Sequence, residues 1–166
     1  MRVVAATMLL MALATASRAQ SSAVHSSRPD GLLAGQVRAS LLVRDTTRFR
    51  VLVTVDSLSV QHILHRGYYW GAYRGTPRTI VVGLQVTIGA SEIQVPLSAY
   101  ADLSELRNLW LSWAGTRVDV KLSGGDAATG WEAHLVFDRG HLISRKVNDG
   151  EFPEIWEQTT YHGVMY

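Results

Sequence analysis

A chain of 166 residues with no cysteine and a formal charge of +2 has room for one domain with its own core and is short for two. The missing cysteines exclude a disulfide framework and a thiol nucleophile, and near neutrality disfavours nucleic acid as a partner.

The chain begins as an address. Met1-Arg2 supplies a positive start, Val3 to Ala16 is an apolar run, and Ser17-Arg18-Ala19 has the small-x-small form of a cleavage site. Residues 1–19 are expected to be a signal peptide for export to the periplasm or the medium. The run of 14 residues falls short of the roughly 20 that a spanning helix needs, so no membrane span is expected after cleavage. Gln20 to Gly35 is Ser-rich, contains Pro29 and Gly31, and reads as a flexible leader; residues 36–166 are expected to form the domain.

From Gln36 onward the period is two. Val37, Ala39, Leu41 and Val43 alternate with polar or outward residues, and Phe49, Val51, Val53 and Val55 repeat the pattern after Asp45-Thr46-Thr47, which predicts a hairpin. Asp56 to Gly67 fits a short helix, capped by Asp56 or Ser57 and ended by Gly67; Leu58, Val60, His62 and Leu64 also alternate as a strand would. Residues 67–78, GYYWGAYRGTPR, are a loop by punctuation and an aromatic cluster by content.

Ile80 to Ile88 gives the cleanest alternation, and Gly89-Ala90-Ser91 turns it into Ile93, Val95 and Leu97. Ser98 to Asn108 carries Leu103 and Leu106 at helical spacing, which predicts one or two helical turns. Strands follow at 109–113, 118–122 and 131–138. Arg139-Gly140 then turns the chain into 141–147, where Leu142 and Ile143 fall out of phase and predict a bulge. Gly150 to Pro153 should be a corner, with Trp156 and Tyr161 beyond it sealing one end of the core. The fold predicted is mainly β, an antiparallel β-sandwich of about eight or nine strands with one or two short helices; a small closed β-barrel is the alternative.

Chemistry is thinly signalled. No Gly-x-Ser-x-Gly elbow or HExxH pattern occurs, no cofactor is implied and no metal site is assigned. His62 and His65 would share a helix face, and Glu151, Glu154 and Glu157 cluster at the corner; these are the candidates for a metal- or carboxylate-dependent hydrolase. Gly124-Gly125-Asp126 reads as a turn, or as an anion nest or calcium ligand. The stronger candidate is the aromatic loop. Tyr68, Tyr69, Trp70 and Tyr73 combine flat apolar faces with polar edges, and Arg74 and Arg78 supply charge, which suits a protein or glycan partner. The same rings would also serve as a lid on the sandwich. Charge is uneven: residues 20–78 hold eight Arg against three Asp, and residues 79–166 hold six basic against eleven acidic groups. The two halves either neutralise each other or leave a basic patch for an anionic partner.

Overall fold

Alternation of period two builds two antiparallel sheets whose apolar faces meet. The computed structural model describes residues 23–27, 34–43, 47–58, 68–72, 76–138, 140–150, 152 and 154–162. The expected signal peptide, His62, His65, Tyr73, Arg74, Glu151 and Pro153 lie outside the described residues, as does most of the segment read as a short helix. Strands β2 (Gly35–Val43), β3 (Thr47–Ser57), β4 (Thr79–Ile88) and β5 (Ser91–Ile93) form one sheet in that order. The other contains β1 (Ala23–Ser27), β6 (Leu106–Ala114), β7 (Arg117–Gly124), β8 (Trp131–Asp138), β9 (His141–Asp149) and β10 (Ile155–Thr160), ordered β1-β6-β7-β8-β9-β10.

The arrangement is a sandwich and not a closed barrel. Val37, Leu41, Phe49, Val51, Val53 and Val86 from the four-stranded sheet face Leu109, Leu111, Val120, Leu122, Leu135 and Phe137 from the other. Phe49 and Phe137 meet edge to face across the gap, 5.8 Å between ring centres. Each such fully buried side chain contributes about 1.5–3 kcal/mol relative to exposure. Gly140 takes a φ of +92° in the β8–β9 turn, the left-handed geometry that a tight hairpin requires.

Three elements depart from the sequence reading. Residues 23–27 are not part of a leader: they form β1, an edge strand on β6, where Val24 packs on the core and His25 stacks on Trp110 at 4.9 Å. Five residues with one apolar anchor are too few to register as periodic. The segment 98–108 opens from a single 3-10 turn, Leu97–Ala99, and enters β6 at Leu106, because Leu103 and Leu106 are both buried by the two sheets and not by a helix face. Strand β5 stops at Ile93 and does not reach Leu97; Pro96, which cannot donate to a ladder, follows it. Among the described residues, no helix is long and apolar enough to cross a membrane.

Four register shifts interrupt the ladders. The predicted bulge in β9 is present: Phe137 pairs with Leu142 and Val136 with Ser144, leaving Ile143 unpaired. One consequence is that Leu142, Arg145 and Val147 all face inward. Two other shifts leave Arg107 in β6 and Trp156 in β10 without a cross-strand partner.

Candidate functional site

The connection from β5 to β6 runs along one end of the sandwich and joins the aromatic loop to β4. The Trp70 amide donates to the Asp102 carbonyl (2.8 Å), the Ser104 amide to the Trp70 carbonyl (3.0 Å), and the Val81 amide to the Leu103 carbonyl (2.9 Å). Ser104 Oγ also donates to the Trp70 carbonyl at 2.6 Å. Glu105 sits at φ +50°, unusual for a residue with a side chain, and its carboxylate accepts from the backbone amides of Arg78 (2.5 Å) and Thr79 (3.1 Å). Arg78 is thus fixed through its backbone, while its guanidinium stays at the surface.

Beneath this connection lies a buried arginine. Arg145, only 1% exposed, uses Nη2 to donate to both carboxylate oxygens of Asp102, each at 2.7 Å, and Nη1 to donate to Glu157 Oε1. A buried guanidinium persists when carboxylates match its charge, here through two of its three nitrogens; Nε is buried without a hydrogen-bond partner among the described residues. Asp102 Oδ2 accepts a further bond from the Trp70 indole at 3.1 Å, which links the charge cluster to the aromatic loop.

Three rings cover the cluster. Trp70 stacks on Trp156 with ring centres 5.3 Å apart and planes at 19°, and Tyr68 meets Trp70 edge-on at 5.4 Å. In regular pairing Trp156 and Glu157 would point to opposite faces; the bulge at Trp156 lets both address the same site. Trp156 is 47% exposed with one face against Trp70, so its accessible surface lies on the other face and the ring edge. Tyr68 is 57% exposed, whereas Tyr69 and Trp70 are half-buried.

The far side of the loop opens into a polar cleft of about 390 Å³, bordered by Gly71, Thr76, Arg78, Glu105, Arg107 and Asp126. The bulge in β6 turns Arg107 toward it. Asp126 closes its own turn: Oδ1 accepts from Thr129 Oγ1 (2.9 Å) and the Ala128 amide (3.1 Å). The Thr129 hydroxyl first, then the Ala128 amide, hold its carboxyl below the ordinary range. The stability that this carboxylate contributes is therefore present above its unfolded pKa and lost as pH falls through the lower folded value. Thr129→Val should move the Asp126 midpoint upward in a carboxyl NMR titration; an unmoved midpoint would refute the assignment.

The structure brings Tyr68, Tyr69, Trp70 and Arg78 to one end of the sandwich, but on two sides of the loop. Trp156, expected to seal the core, instead lies half-exposed on Trp70 because its bulge lifts it out of the ladder. Glu157 is engaged by Arg145, and Glu154 is exposed. Asp102 and Arg145 were not singled out by sequence reasoning; the usable signal was an arginine on the inward phase of a strand once the bulge is allowed for. Among the described residues, no three His, Asp or Glu side chains are placed to hold a metal ion. Compared with known proteins, the chain matches no family model, no curated protein and no solved structure, so the geometry alone grounds a functional reading.

Proposed function

We propose that this is an exported, non-catalytic binding protein that recognises a glycan through the surface formed by Tyr68, Trp70 and Trp156. The observation that carries the reading is the stacked indole pair whose outer ring is half-exposed over a buried charge cluster. A pyranose ring has an apolar C–H face that suits a flat indole, and a rim of hydroxyls that needs acceptors. Glu157 supports this: Oε1 accepts from Arg145 and from the Thr159 hydroxyl, and among the described residues no donor meets Oε2, which can accept from a hydroxyl. Asp102 and Glu157 are both committed to Arg145, which suits a site that holds its ligand and does not move protons. Export rests on the address in residues 1–19.

A protein partner is the second reading, favoured by the exposure of Phe152 and Ile155 close to Trp156 in the chain. A glycan array separates the two. The wild type should retain a defined set of glycans, and Trp156→Ala should weaken retention by about tenfold or more, as loss of an aromatic anchor does. A wild type that retains nothing, or a variant that retains the set equally well, sinks the glycan reading.

A further inference from the structure

The two outer faces treat charge differently. On the six-stranded sheet Lys121 pairs with Glu132 at 2.6 Å and Arg117 with Asp138 at 3.8 Å, and the His134 ring lies 3.1 Å from Asp119. The outer face of the four-stranded sheet carries Arg38, Arg48 and Arg50, and among the described residues no carboxylate lies within ion-pair distance of any of them. Among the described residues, the carboxylates on this face are Glu92, opposite Thr87 on the short β5, and Asp56, toward the far end of β3. The halves of the chain therefore do not neutralise each other across this face.

Two of the arginines frame a groove. Arg38 lies opposite Leu52 and Arg50 opposite Ser40, so the two guanidinium groups stand at diagonal positions on one face, where like charges repel. They lean apart. Arg38 Nη2 donates to Gln36 Oε1 (2.6 Å), toward the start of β2, whereas Arg50 donates to Thr87 Oγ1 (3.1 Å) and the Gly89 carbonyl (2.9 Å), toward the β4–β5 turn. Between them is a groove of about 440 Å³ bordered by Ser40, Leu52, Gln85 and Thr87. That volume falls within the roughly 300–1,000 Å³ of small-molecule sites. The groove is apolar along its floor and cationic at both margins.

We infer that this groove is a second binding site, for a small amphiphilic carboxylate: an anionic head that removes the repulsion and draws the Arg38 and Arg50 guanidinium groups inward from the diverging positions they take without it, on a slender apolar chain lying over Leu52. Each guanidinium has donors left after its internal bonds, and a carboxylate takes two such donors at once. The site shares no residue with the aromatic surface, so its fate is independent of the glycan reading.

Calorimetric titration with decanoate, decanol and acetate tests the inference. Decanoate should bind saturably to the wild type, with decanol and acetate each at least about tenfold weaker, because one lacks the charge and the other the chain. Arg38→Ala and Arg50→Ala should each weaken decanoate about tenfold, and Arg48→Ala, outside the groove, less than about twofold. All three side chains lie on the surface, and far-UV circular dichroism checks that the variants fold. Equal binding of acetate and decanoate, or undiminished binding by Arg38→Ala and Arg50→Ala, overturns the proposal. So does binding to phosphatidylglycerol vesicles without saturable binding of decanoate, which would make the face a membrane contact.

Discussion

Arg145→Ala is expected to lower unfolding stability by about 3 kcal/mol, toward the lower end of the range for a broken buried ion pair. The reason is asymmetry. Removing the guanidinium leaves Asp102 mostly buried without its principal donor, while Glu157, 37% exposed, still reaches water. Against the roughly 5–15 kcal/mol that holds a domain together, this is a large fraction. A double-mutant cycle with Arg145→Met and Asp102→Asn, read by urea denaturation, isolates the pair. The double variant should be more stable than the two single losses predict, by about 1 kcal/mol or more. Strict additivity within about 0.5 kcal/mol would show that the two side chains do not stabilise each other. Because the Trp70 indole donates to the same carboxylate, the Arg145 variants should also loosen the stack on Trp156.

Trp131→Ala should be at least as costly, about 3–5 kcal/mol, since it empties a fully buried site of the largest side chain in the core. Its effect should reach the candidate site as well. The Trp131 indole donates to the Ser104 carbonyl at 3.0 Å, and a Cβ at Gly71 or Gly124 would come within 2.7 Å of the ring. The ring is thus the floor on which the aromatic loop and the Ser104–Glu105 crossing rest. Hydrogen exchange at the Trp70 and Ser104 amides, bonded across that crossing, should accelerate in the variant even under conditions where it remains folded. Stability within about 1 kcal/mol of the wild type, with unchanged exchange at both amides, would mean that the floor is elsewhere.

The sheets were legible because each long strand buries one face, so Val51, Val53 and Val55 or Ala133, Leu135 and Phe137 announce themselves at every second position. Gly140 and the β9 bulge were readable for the same local reason. What escaped was non-local. Strand β1 owes its place to a partner in β6, with Ala23 opposite Ser112, and its own five residues carry little pattern. The Arg145–Asp102 pair joins residues 43 apart, and beyond the inward phase that Arg145 takes once the bulge is allowed for, nothing near either one marks it. The aromatic loop stood out by composition alone. The site half of it helps to build depends on Trp156, whose orientation is set by an unpaired residue and so cannot follow from alternation.

The two bulges beside the candidate site also bear on how sequences of this kind can diverge. Arg107 and Trp156 each stand outside the ladder, flanked by residues whose pairing is complete without them. Their side chains can therefore be exchanged without disturbing strand register or the alternation that fills the interior. The scaffold thus leaves two surface positions open to variation in specificity, while the neighbours that hold them in place are bound to the sheet.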